Sequence, residues 1–301
     1  MIFLDDMDPP STYEKNSFTS IEIRKKTNTV CQKVTSYDRE KYIMYFLIND
    51  YSKSLTFAPI QSEEYAAALA NRSAVLKGLS KFNESIIDID AALQITKDPI
   101  IKFKLLCWKV ERLASLNKKS EAKEFLEDSL KIAESFTETL KNNCITKLNN
   151  AIEIKPLQWK SKKWWNQARY VSNFISNAIT WNYSNKYGNH LVANRDIKVG
   201  KWLFIESFYV GYPQIDKLYM LCSNCLNFTS NSIPCKSCTH AVYCSETCMN
   251  ESFEKLHETE CKICNYLLKY PESFAGRMSF LSSIRFFATI LKEYGGVENL
   301  V

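Results

Sequence analysis

The chain has 301 residues, 39 Lys and Arg against 33 Asp and Glu, 46% hydrophobic residues, 11 Cys and 3 His, with a net charge of +6. That length holds about two average domains with ample core, and the ordinary composition excludes wholesale disorder and collagen-like repeats. Only 7 Gly argue against a Gly-rich nucleotide-binding α/β fold, and the mild charge falls short of a dedicated nucleic-acid binder.

Residues 1–35 are polar, with Pro9-Pro10 and Ser/Thr-rich stretches, and read as a loosely ordered lead-in with room for one helix. The acidic start Met1-Ile2-Phe3-Leu4-Asp5-Asp6 lacks the basic and apolar regions of a signal peptide. The longest apolar run, Tyr42 to Ile48, is far shorter than the roughly 20 residues that span a bilayer. No membrane association and a reducing compartment, cytoplasm or nucleus, are therefore expected, which disfavours disulfides.

Residues 36–154 are helical and repeat. Leu69, Ser73, Leu76, Phe82, Ser85 and Ala92 follow tetratricopeptide spacing, with small residues where two helices approach closely. A second copy runs through Leu106, Val110, Leu113, Ala122, Leu126 and Ser129, so that Ser85 and Ala122 are equivalent at an offset of 37. A more decayed unit ends near Tyr51–Leu55, with Pro59 as its stop. The competing description is a generic helical bundle. The segment 155–177 carries basic residues among Trp159, Trp164 and Trp165; it suits a bridge between domains better than a single-strand nucleic-acid contact.

From residue 178 the pattern turns β-rich. Ala178–Tyr183 and Trp202–Tyr209 read as strands, with Gly188-Asn189 and Asp196–Gly200 between them as turns. The tail from Phe274 to Tyr294 is helical, with apolar residues at 280, 281, 284, 287, 288 and 291, and Gly295-Gly296 caps it.

The chemistry concentrates in 222–261, which holds seven of the 11 cysteines. Cys222-x2-Cys225, Cys235-x2-Cys238, Cys244-x3-Cys248 and His257-x3-Cys261 are four ligand pairs. Seven thiolates and one imidazole are the donors of two closed tetrahedral zinc sites, structural because no coordination position stays open. So short a segment with few large apolar side chains needs the metal to fold. His257 and Cys261, four residues apart, share one face of a helix expected over Glu251–Glu260. His240 either faces solvent or backs a ligand, Cys264 lies outside the pairing, and Cys31, Cys107 and Cys144 are small core or surface residues.

This spacing, with Val242-Tyr243-Cys244-Ser245 at its centre, resembles a MYND zinc finger. The resemblance implies interleaved ligation: Cys222, Cys225, Cys244 and Cys248 on one zinc, and Cys235, Cys238, His257 and Cys261 on the other. Upstream, Tyr187–Ala193, Asp196-Ile197-x-x-Gly200 and Phe204-Ile205-Glu206 resemble the opening of a SET domain split by a MYND insertion. That is the layout of the SMYD family of S-adenosylmethionine-dependent protein-lysine methyltransferases, in the branch whose helical repeats come first.

The resemblance implies that Gly188, Asn189 and His190 touch the methionine end of the cofactor. It also implies protein or peptide ligands for the repeat groove and the finger, and a protein lysine as substrate. No Asn-His-x-Cys cofactor segment of the family occurs in these residues, so the chain alone is expected to be inactive. A non-catalytic adaptor is the alternative. In that reading Asn71 and Lys104 match two positions of a carboxylate clamp, but Trp108 replaces the arginine that would complete it. Nucleic acid is not expected as a partner, because 222–264 holds more Glu than Lys. The expected fold is mainly α with a small β/zinc part: repeats, the first part of a SET fold over 178–221, the finger over 222–261, and a helical segment over 262–301.

Overall fold

A computed structural model describes residues 15–32, 37–134, 174–206, 209–267 and 274–295, with the isolated positions 136, 142, 145 and 146. The basic, Trp-containing bridge and Cys144 lie outside the described residues, as do the side chains of Cys31 and Cys264. The chain forms two compact units, one holding 1–160 with 212–301 and the other 161–211. The ten residues before the finger thus group with the finger and not with the β segment upstream.

Six helices open the first unit: α1 (Ser17–Gln32), α2 (Tyr37–Phe57), α3 (Glu63–Gly78), α4 (Phe82–Ile95), α5 (Pro99–Ser115) and α6 (Lys119–Ala133). Each packs on the next. Helix starts follow local chemistry: Ser62 accepts from Tyr65 N–H, and Asp98 accepts from Ile100 and Ile101 N–H with Pro99 opening the first turn. The α3–α4 and α5–α6 turns are built alike. Ser80 and Asn117 take positive φ (56° and 62°), and Lys81 and Lys118 return their N–H to Leu76 and Leu113. These positions are again 37 apart, the offset of Ser85 and Ala122.

Small residues seat the hairpins. Ser73, Ser85 and Ala122 are fully buried, and the Ser85 hydroxyl donates to the Ser73 carbonyl at 2.8 Å. Gly78 lets the end of Met44 lie against the α3 backbone, where a Cβ would collide. Apolar side chains fill the rest, with Leu69, Ile89, Ala92 and Leu105 in one cluster and Phe103, Val110, Leu113 and Ala133 in another.

After a 3₁₀ turn at Ile215–Lys217, the finger contains β5 (Ile233–Pro234) paired antiparallel with β6 (Val242–Tyr243), then α7 (Glu246–Ser252), a π-turn (Phe253–His257) and α8 (Glu258–Leu267). The single helix expected over Glu251–Glu260 is therefore three pieces. Helix α9 (Phe274–Tyr294) packs on α8 and the π-turn, and Gly295 with φ of 75° ends it. Its inward face carries Leu281 and Arg285; Phe280 and Phe287, expected among its apolar stripe, are exposed.

The second unit holds β1 (Phe174–Ile175) paired with β4 (Phe204–Ile205), and the hairpin β2 (Ile179–Ser184) with β3 (Gly188–Ala193). Of the strand expected over Trp202–Tyr209, the described residues show Phe204–Ile205 as strand. The turn of the hairpin is Ser184–Tyr187, and Gly188 begins β3 with φ of 64°. Ala178 and Ile179 are the buried members among the described residues of this unit, while Trp181, Tyr183 and Trp202 are exposed.

Candidate metal centre

Two ligand groups converge in the finger: Cys222, Cys225, Cys244 and Cys248 in one, and Cys235, Cys238, His257 and Cys261 in the other, with the ligand atoms of each within 4.8 Å of one another. The eight sequence-predicted donors are thus brought together in the interleaved pairing. Local turns aim them. Leu226 N–H returns to the Cys222 carbonyl with Leu226 at φ of 57°, closing the first knuckle. Cys235 N–H bonds the Ala241 carbonyl across the second, and Ser245 caps α7 by accepting from Cys248 N–H. The π-turn rotates His257 so that Nε2 lies 3.2 Å from Cys235 Sγ and 3.5 Å from Cys238 Sγ.

The donors fit zinc. With Zn–S bonds of about 2.3 Å a tetrahedral site spaces its sulfurs about 3.8 Å apart. Cys225 to Cys244 is 3.7 Å and Cys244 to Cys248 is 3.5 Å. The donors also compete for protons. Burial lowers the affinity of the His257 ring for a proton, but Cys235 and Cys238 beside it raise its pKa to about 11. Cys235 is held far below an ordinary thiol by hydrogen bonds from Cys238 and Cys261, while the same contacts push Cys238 far up. In the other cluster burial raises Cys225 to about 11. Crowded sulfurs cannot all ionise alone, and a divalent ion removes the conflict. Zinc bound there would be held structurally by the eight side chains.

Around the ligands lie residues that the cysteine pattern did not reveal. Glu260 Oε2 is 3.7 Å from His257 Nδ1, and Arg285 of α9 grips both Glu260 oxygens at 2.6 and 2.7 Å. Burial raises the Glu260 carboxyl, but Arg285 and His257 bring it down to about 2. His240 is buried and not solvent-facing, and its Nδ1 has no hydrogen-bond partner.

The finger is also seated on the helical array. Met220 and Phe228 enter a cluster with Leu47, Ile48, Tyr51, Val75 and Leu76. Asn49 accepts from Tyr219 N–H at 3.2 Å, and Asn231 donates to the Glu84 carbonyl and to Asp88. At the centre Arg72 forks onto Asp88 with two 2.7 Å bonds and donates to Ser52 and to the Ser232 carbonyl, all buried. Of the clamp positions, Asn71 donates to Asn28 of α1 at 3.3 Å and Lys104 is exposed. In the second unit Asn189 and His190 pair with Tyr183 and Asn182 in the hairpin, and His190 Nδ1 meets the Gly188 carbonyl at 2.9 Å.

The family model for the MYND finger matches residues 222–261. A fold of helices carrying a two-cluster finger of this ligand order defines a MYND-type zinc-finger protein. The chain is 26% identical over 254 residues to the protein-lysine N-methyltransferase SMYD4 of Gallus gallus, covering 72% of this chain and 34% of that protein. With SMYD4 of Homo sapiens it shares 26% over 255 residues, 72% of this chain and 31% of that protein. A SET and MYND domain-containing protein of Dictyostelium discoideum is 28% identical over 126 residues, 39% of this chain and 32% of that protein. The chain spans about a third of the length of these relatives. No solved structure matches it significantly. Among the described residues no helix is long and apolar enough to cross a membrane.

Proposed function

We propose that this chain is the recognition part of a SET/MYND-type protein-lysine N-methyltransferase that uses S-adenosylmethionine. The observation that carries the reading is the finger locked onto the helical array through Arg72, Asn231 and Asn49, a rigid platform for presenting a bound protein. In this reading α3–α4 and α5–α6 are tetratricopeptide hairpins, as their identical turns 37 residues apart suggest, and α1–α2 is the decayed unit. The array then holds an extended protein segment, and the finger contributes a second contact.

Residues 178–221 are proposed as the first part of a SET domain. Such an enzyme orients a lysine amine in line with the sulfonium methyl group of its cofactor and excludes water from it. Gly188, Asn189 and His190 are our candidates for the methionine end of that cofactor. Gly188 takes a positive φ at the start of β3, and His190 Nδ1 is held against the Gly188 carbonyl. The adaptor alternative uses the same surfaces and differs only in whether methyl transfer follows.

The test compares the 301-residue chain with a chain extended to the length of its relatives. Labelled methyl transfer to protein lysines is expected from the extended chain alone, and Gly188→Val should weaken its cofactor binding, measured by calorimetry, about tenfold. Methylation by the purified 301-residue chain would overturn the assignment of the transfer chemistry to residues outside it. Absence of transfer from the extended chain would leave the adaptor.

A further inference from the structure

Helix α9 reaches both metal clusters through one side chain. The Arg285 guanidinium is buried; Nε and Nη2 take the two Glu260 oxygens, and Nη1 donates to the Ser223 carbonyl at 2.9 Å. Each partner adjoins a ligand. Ser223 follows Cys222 of the four-cysteine cluster, and its backbone N–H bonds Val242 two residues before Cys244. Glu260 precedes Cys261, and its second oxygen faces the Nδ1 of His257, a buried nitrogen with no hydrogen-bond partner, while Nε2 of the same ring faces Cys235 and Cys238. The Tyr212 ring lies 4.8 Å beneath the guanidinium, and Lys292 donates to the Glu254 carbonyl in the π-turn.

We propose that Arg285 is a positioning residue that couples the docking of α9 to the retention of both metals. Through Glu260 it fixes the His257 ring with Nε2 toward the cysteines, and through the Ser223 carbonyl it fixes the turn that carries Cys222. A ligating histidine whose second nitrogen faces a carboxylate keeps one tautomer and one orientation, and loss of such support typically weakens metal binding 10- to 100-fold. Lysine cannot replace the fork, because its single ammonium cannot span two carboxylate oxygens and a carbonyl together. Coupling is reciprocal: if α9 steadies the metals, the metals steady α9.

The inference rests on the zinc reading of the clusters, and the experiment separates the two. Zinc per chain is measured first on the whole 301-residue protein; two ions are expected, and none would overturn both the zinc reading and the coupling. Release to a colorimetric chelator is then followed in Arg285→Lys, Arg285→Gln and Glu260→Gln. Arg285→Gln should release both ions about tenfold faster, Arg285→Lys less so, and Glu260→Gln chiefly the ion held by His257. A tether of purely structural value would loosen α9 without changing release. Release at the wild-type rate in all three variants, with two ions bound, would overturn the coupling alone. Should a variant fail to fold, the unaltered protein supplies the reciprocal measurement. Removing its metals should speed amide exchange in 281–294 while α3 and α4 stay protected, and unchanged exchange there would also refute the proposal.

Discussion

The two metal clusters share a ligand class and a segment of chain yet sit in different surroundings. In the histidine cluster all four ligands are buried, and Glu260 and Arg285 stand behind the ring. In the four-cysteine cluster Cys244 is exposed and Cys225 half-buried, and a nearby polar contact, Asn224 to Glu251, is at the surface. Spacing specifies which side chains meet; the elements packed outside them decide how tightly a metal is kept and how easily a sulfur is reached. The buried cluster acts as the core of the finger, the open one as its clasp.

The sharpest way to break this contrast is to remove one ligand from each cluster. Structural zinc contributes about 10–16 kcal/mol to folding in small fingers, so either loss is severe. Cys235→Ser should leave at most one zinc per chain and expose the finger to protease throughout. Cys225→Ser should cost the other ion but leave the His257 group loaded, as metal analysis of the purified variants will show. Equal losses would erase the distinction between core and clasp.

A smaller effect is expected at the seat of the finger. Arg72→Met strips the charge partner from buried Asp88 and the donor from the Ser232 carbonyl, which should cost about 3–5 kcal/mol in urea unfolding. Metal content should stay at two, because the array holds the finger from outside its ligand shells. Next in size is reactivity. Iodoacetamide labelling read by mass spectrometry should modify Cys244 and Cys225 at least tenfold faster than Cys238, which is fully buried.

These contrasts were only partly legible in the sequence. The ligand pairs declare themselves because a knuckle needs two sulfurs a turn apart, a local constraint that leaves a local mark. The hairpin offset was visible for a similar reason: Ser85 and Ala122 must be small wherever helices touch. Arg72, Glu260 and Arg285 escaped because a buried charge reads as a surface residue until its partner is known. The partner carbonyl of Arg72 is 160 positions away, and that of Arg285 is 62. The face of α9 was misread on the same account, since its inward anchor is an arginine and its outward residues include Phe280 and Phe287. The burial of His240 had no local signal, for it follows from the packing of the whole second knuckle.

His240 supplies the smallest of the expected effects and one that belongs to the buried cluster alone. Burial lowers its pKa to about 3, against 6.5 for a free ring. The folded finger therefore keeps this ring neutral while the unfolded chain takes up a proton as pH falls through 6.5. Stability is full above pH 6.5 and drains by about 1.4 kcal/mol for each pH unit below it, until the folded ring also titrates near 3. The metal ligands titrate too, but they are common to the wild type and to His240→Leu, so the difference between the two isolates this ring. The variant leaves no buried nitrogen unpaired, and at pH 7 it should be as stable as the wild type or slightly more so. At pH 5.5 it should exceed the wild type by a further 1 kcal/mol or so, read from urea unfolding followed by the release of zinc. A gap that does not widen between pH 7 and 5.5 would mean that the ring reaches solvent in the folded finger, and the buried cluster would be more open than its packing indicates.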